Sequence, residues 1–97
     1  MNRVNIQPAA VADTAEAASW YESQLADLGI EFILEIDAAI DRAAESPEIY
    51  EEQYLGARRV LVHRFPYSVY FVFESSVVEV IAVLHQHQSP GIWQSRI

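Results

Sequence analysis

The residues best equipped for chemistry lie late in the chain. Arg58, Arg59 and Arg64 fall close together, and His63, His85 and His87 are the three histidines. Arginine binds phosphate or carboxylate through forked hydrogen bonds. Histidine, with an ordinary pKa of about 6.5, moves protons near neutral pH. Together they suit cleavage of RNA, arginine stabilising the phosphorane while histidine acts as acid or base. The alternative is that the arginines pair with acidic helices and the histidines are ordinary strand-end residues. Other chemistries find no support. His85-x-His87 has no third metal ligand at a recognisable spacing and no cysteine beside it. Gly29, Gly56 and Gly91 form no phosphate loop, and no G-x-S-x-G nucleophile motif is present. Glu16 and Glu22 are spaced as solvent-facing carboxylates. Trp20-Tyr21 reads as packing with one ring at the surface. No metal and no cofactor is expected.

Charge divides the chain. Residues 1–52 hold twelve Asp/Glu against two Arg, net −10; residues 53–97 hold two Glu against four Arg, net +2. Lysine and cysteine are both absent. A chain of net charge −8 lacks the broad basic footprint that phosphate backbones require, so direct nucleic-acid binding is not expected. The 97 residues make one domain, 1–97, and 52% hydrophobic content is too high for disorder. Uncharged apolar runs of about ten residues are too short to cross a bilayer. Met1-Asn2-Arg3 does not open a signal peptide. Together with the missing disulfides, this places the chain in the cytoplasm as an expectation.

The elements that must carry these residues follow from periodicity. Val4 and Ile6 alternate with polar residues as in a short strand. Pro8 suits a helix start, and Val11, Ala15, Ala18, Leu25 and Leu28 define one face of a helix over 9–28, stopped at Gly29. A second helix over 30–45 turns Ile33, Ile36, Ile40 and Ala43 inward and ends at Ser46-Pro47. The short link predicts an antiparallel hairpin. After an acidic loop over 48–54 the period becomes two, which predicts strands over 58–65, 67–74 and 77–86, with Pro66 in a bend and Glu74-Ser75-Ser76 in a tight turn. Such strands pair antiparallel. The fold class is therefore α+β: a short N-terminal strand, a helical hairpin and a three-stranded antiparallel sheet.

Both faces of that sheet read as apolar. In the last strand Val78, Val80, Ala82 and Leu84 share one face, and Val77, Ile81 and Val83 the other. Two helices cover only one face, so the other needs a partner, the N-terminal strand, the tail around Trp93 or a second copy of the chain.

The order of these residues resembles the RelE/ParE toxin superfamily of bacterial type II toxin–antitoxin systems, and most nearly its ParE-like branch. The resemblance rests on Asp13 with Glu16-Ala17 and Trp20-Tyr21, Gly29-x-x-Phe32, Ser46-Pro47 and Arg58-Arg59. It continues through Phe65-Pro66-Tyr67-x-Val69-Tyr70-Phe71, Val83-x-His85 and Pro90-x-x-Trp93-x-x-Arg96. It implies a growth-inhibiting toxin of the plasmid-stabilisation type, neutralised by an antitoxin encoded beside it. RelE-like members cut messenger RNA on the ribosome, whereas characterised ParE members inhibit DNA gyrase. RNase members carry several lysines and arginines around the active surface; this chain has no lysine and has Pro66-Tyr67 where many of them place a basic residue.

The resulting expectation is a non-enzymatic inhibitor of a cytoplasmic target, DNA gyrase foremost, with an antitoxin as partner and homodimerisation open. Arg58, Arg59, Arg64, Tyr67, His85, Trp93 and Arg96 are the expected contacts with target or antitoxin. Two alternatives remain: an mRNA interferase using His85 or His87, and a non-toxic relative kept as a binding module.

Overall fold

A computed structural model describes all residues from Met1 to Ile97. The chain runs β1 (Arg3–Ile6), α1 (Pro8–Gln24), α2 (Leu28–Glu45), a 3-10 turn (Pro47–Ile49), β2 (Glu52–Tyr54), β3 (Ala57–Leu61), β4 (Tyr67–Glu74), β5 (Val77–His85) and a short α3 (Gly91–Gln94). Helices α1 and α2 lie on one face of a five-stranded sheet of order β1-β5-β4-β3-β2. The three strands at its centre are antiparallel as expected, while β1 joins parallel to β5, with Ile6 opposite Val80.

The helical hairpin forms by close approach. Ala10, Ala17 and Ala18 are the buried residues of α1, whereas Val11 and Leu25 are 54% and 62% exposed. The inward face read from the larger side chains is thus displaced toward the alanines, because small residues let the helix sit closer to its neighbour. Gly29 does not stop α1, which ends at Gln24. It is the second residue of α2, where a Cβ would lie 2.6 Å from the Ala18 carbonyl oxygen. Glu22 turns back from α1 to accept hydrogen bonds from the Asp27 and Gly29 N–H groups, at 2.9 and 3.0 Å. Its carboxylate caps the start of α2, where unpaired amides and the helix dipole favour a negative charge. On α2, Phe32, Ile36, Ala39, Ile40 and Ala43 enter the main core; Ile33, expected inside, is 39% exposed.

Three further details depart from the periodicity. The acidic segment before Gly56 contributes an edge strand, β2, paired to β3. The first long strand ends at Leu61, and Arg64 adopts φ 71° in the bend before Pro66. In β5 the pairing slips, with Tyr70 opposite Ala82 but Phe71 opposite Val80, so Ile81 is an extra residue. This bulge reverses the alternation. Val78, Val80 and Val83 face the helices, while Ile81, Ala82 and Leu84 face the other way.

The face away from the helices is covered by the tail. Trp93 is 6% exposed and stacks on Tyr70 at 4.7 Å between ring centroids, in a cluster with Ala57, Ile81, Ala82 and Leu84. Of the candidate covers, the tail around Trp93 is the one that packs this face.

Candidate functional site

β1 accompanies β5 only as far as Val80. Beyond that point the outer edge of β5 is satisfied by side chains. The Asp13 carboxylate accepts the Val83 N–H at 3.0 Å, Arg96 donates to the Ile81 carbonyl at 3.0 Å, and Gln88 accepts the His85 N–H at 2.9 Å. Arg96 also grips Asp13 through both guanidinium nitrogens, at 2.6 and 3.1 Å. That forked, partly buried pair raises the Arg96 pKa above its ordinary value, chiefly through the hydrogen bond to Asp13. A strand edge that would otherwise template another strand is closed in this way.

With no strand beside it, this half of β5 and the facing side of α1 leave a groove of ≈ 640 Å³. Asp13, Glu16, Ala17, Trp20 and Tyr21 form its helical wall, and Tyr67, Leu84 and His85 lie opposite. The helical residues recur at steps of three and four, the spacing of a single α-helical stripe. Tyr21, Phe32, Phe65 and Tyr67 meet beneath it with centroid separations of 4.9–6.1 Å. Burial pushes the hydroxyl pKa values of Tyr21 and Tyr67 up; at Tyr67, the nearby Tyr21 and Glu16 add to the effect. Trp20 stands 58% exposed at the rim, with its edge on Tyr21 at 5.1 Å. One ring packs and one meets solvent, as their sequence positions suggested.

The structure does not gather the arginines and histidines into one centre. Arg58 is turned to the Tyr50 and Glu48 carbonyls and pairs with Glu52 at 3.3 Å. Arg64 pairs with Glu31 at 2.7 Å and Glu35 at 3.7 Å, and its guanidinium lies over Phe65. The hydrogen bond that Arg64 donates to Glu31 raises its pKa. Arg59 has no carboxylate partner and lines a separate, smaller hollow with Arg42 and His63. His85 belongs to the α1–β5 groove, stacked edgewise on Tyr67 at 5.4 Å, while the exposed His87 donates its backbone N–H to His85 Nδ1 at 3.0 Å. Trp93 and Arg96 are engaged in holding the tail. Tyr67 and His85 are thus the two expected contact residues that share the groove. Asp13, Glu16 and Trp20 were legible as part of a family pattern and as a helical stripe, yet were not singled out as a surface. No group of three or more metal-ligating side chains is assembled.

A helical hairpin packed on an antiparallel sheet, with a groove between the first helix and the last strand, defines the class as the toxin fold that the residue order resembled. The sequence matches the family model described as ParE toxin of type II toxin-antitoxin system, parDE, over residues 4–90. The chain belongs to the ParE toxin family. Its fold is similar to a chain of the chromosomal ParDE toxin–antitoxin system from P. aeruginosa, with a TM-score of 0.78, 13% identity, and coverage of 88% of this chain and 96% of that one. Comparison with curated proteins found no significant match. No helix is long and apolar enough to cross a membrane.

Proposed function

We propose that the chain is the toxin half of a toxin–antitoxin pair, acting as a non-enzymatic cytoplasmic inhibitor of DNA gyrase and silenced by an antitoxin encoded beside it. Family membership supports the toxin role. The observation that carries the choice against RNA cleavage is the lining of the groove holding His85: its charged residues are Asp13 and Glu16, with no arginine among them. A ribonuclease must stabilise added negative charge on a phosphorane, and preorganised cations are what do so. The unpaired Glu16 carboxylate in the same lining opposes the approach of a phosphate; Arg96 is committed to Asp13, and the other arginines are tied to glutamates or lie in the other hollow.

Of the expected contact residues, Arg59, Arg64, Tyr67 and His85 present themselves to a partner, while Arg58, Trp93 and Arg96 act from behind by fixing β3 and the tail. The test is induction of the chain alone in bacteria, with pulse labelling of DNA and protein synthesis. An early fall in DNA synthesis, followed by inhibition of purified gyrase in a supercoiling assay, is the expected result. Collapse of protein synthesis first, abolished by His85→Ala or His87→Ala, would establish the interferase reading instead. Unimpaired growth would mark a non-toxic relative.

A further inference from the structure

The groove between α1 and β5 has a chemistry of its own. Trp20, Tyr21, Tyr67 and His85 follow one another around it, each ring within 5.1–6.1 Å of the next. Aromatic faces are electron-rich and attract cations, most of all planar guanidinium groups. Of the two carboxylates in the lining, Asp13 is neutralised by Arg96, but Glu16 has neither an ion pair nor a hydrogen-bond partner. Its negative field reaches the Tyr67 hydroxyl across the groove. No cation of the chain pairs with Glu16: Arg96 is held by Asp13 and the Ile81 carbonyl, and Arg64 lies on Phe65 and the α2 carboxylates, outside this lining. An electron-rich, singly acidic slot is therefore left open on a protein whose first 52 residues carry net −10.

We propose that this groove receives an arginine side chain of the antitoxin, its guanidinium stacked on Trp20 and paired with Glu16. This deepens the toxin reading above and rests on it. Three observations narrow the occupant. Charge complementarity favours a basic segment, since the unpaired Glu16 would repel an acidic one. The plane of the Trp20 ring and the forked acceptor of Glu16 favour guanidinium over the compact ammonium of lysine. The outer edge of β5 beside the groove is already occupied by Asp13, Arg96 and Gln88. Recognition at this point is therefore through a side chain rather than through addition of a strand, and any strand pairing must use another edge.

The experiment measures the affinity of the antitoxin for the intact chain, for Glu16→Gln, for Trp20→Ala and for Glu45→Gln, an exposed carboxylate at the far end of α2. Circular dichroism checks that each variant is folded. Glu16→Gln and Trp20→Ala should each weaken binding about tenfold, as loss of a partly desolvated cation–π or charged contact does. Glu45→Gln should leave it unchanged, and the salt dependence should flatten in Glu16→Gln. N-acetylarginine amide should compete with the antitoxin, while the neutral isostere N-acetylcitrulline amide should not. Wild-type affinity in both groove variants, or equal competition by the two amides, overturns the arginine site and leaves the toxin–antitoxin reading standing. Failure of the wild-type chain to bind the antitoxin removes that reading, and this proposal with it.

Discussion

The two faces of the sheet are held by different means. The helix side contains a cluster of 16 buried residues, centred on Phe32, Ile36, Val69 and Phe71 and closed by interlocking rings. The tail side contains six, and one of them, Trp93, is the lid. The first is redundant, since any one contact is backed by several others. The second depends on a single ring and on the Arg96–Asp13 clasp that anchors the segment carrying it. Stability should therefore be lost in bulk on one side and by undocking on the other.

The largest effect is expected for Phe32→Ala. Phe32 is fully buried with three aromatic neighbours at 4.9–5.2 Å, and its truncation should lower unfolding free energy by about 3–5 kcal/mol in urea melts. A loss under 1 kcal/mol would contradict the core described above. Trp93→Ala should cost about 3 kcal/mol, the lower end of that range, because the tail can withdraw instead of leaving a sealed void. Its signature is faster amide exchange confined to residues 88–97. If exchange accelerates equally in α2, the two faces are not separate units.

Asp13→Ala sharpens the contrast, since it strands Arg96 and leaves the Val83 N–H without its acceptor. We expect a loss of about 2 kcal/mol, with Arg96→Ala no worse. A larger loss in Arg96→Ala would show that the carbonyl of Ile81 matters more than the strand amide. At the sheet's far end, Ser75 and Ser76 hold φ values of 51° and 61° in the β4–β5 hairpin. Replacing them by Asn-Gly, the pair that such a turn prefers, should raise stability by about 1 kcal/mol and alter neither face. An unchanged denaturation midpoint would argue against backbone strain there.

The smallest effect is a matter of pH. Burial raises the Tyr21 and Tyr67 pKa values, so the folded chain holds protons that the unfolded chain releases first. Their contribution is complete below the ordinary tyrosine range and shrinks as pH rises through it and beyond. Tyr67→Phe should flatten the alkaline limb of the stability profile. An identical slope in that variant would remove Tyr67 from the account.

Helices and central strands were legible because their periods differ, and the hairpin turn because Ser75-Ser76 interrupts an apolar run. What escaped was set by contacts rather than by period. The inner face of α1 is alanine-rich, so the large residues that define an apolar stripe pointed elsewhere. The Ile81 bulge inserts one residue into a run of β-branched and apolar side chains where every register looks alike. β2 is three residues of Glu-Gln-Tyr, without the alternation that marks a strand. The groove was hidden for a related reason. Its wall and opposite side come from residues 13–21 and 66–88, and nothing local announces that β1 stops at Val80. The arginines of the 58–64 segment looked like a cluster, but alternation along the strand and the Arg64 bend send them in different directions.

Asp13 has one more consequence, in the order of events during synthesis. Its partners Val83 and Arg96 lie 70 and 83 residues further along the chain. Loops of that length close late, because the entropy of bringing their ends together is met only when the distant contacts form. A nascent chain can pair α1 with α2 while β5 is still unmade, yet the wall facing Trp20 and Glu16 does not exist until His85 and Gln88 have emerged. The surface offered to a partner thus takes shape only after β5 has been made and packed against α1, later than the contacts between the two helices.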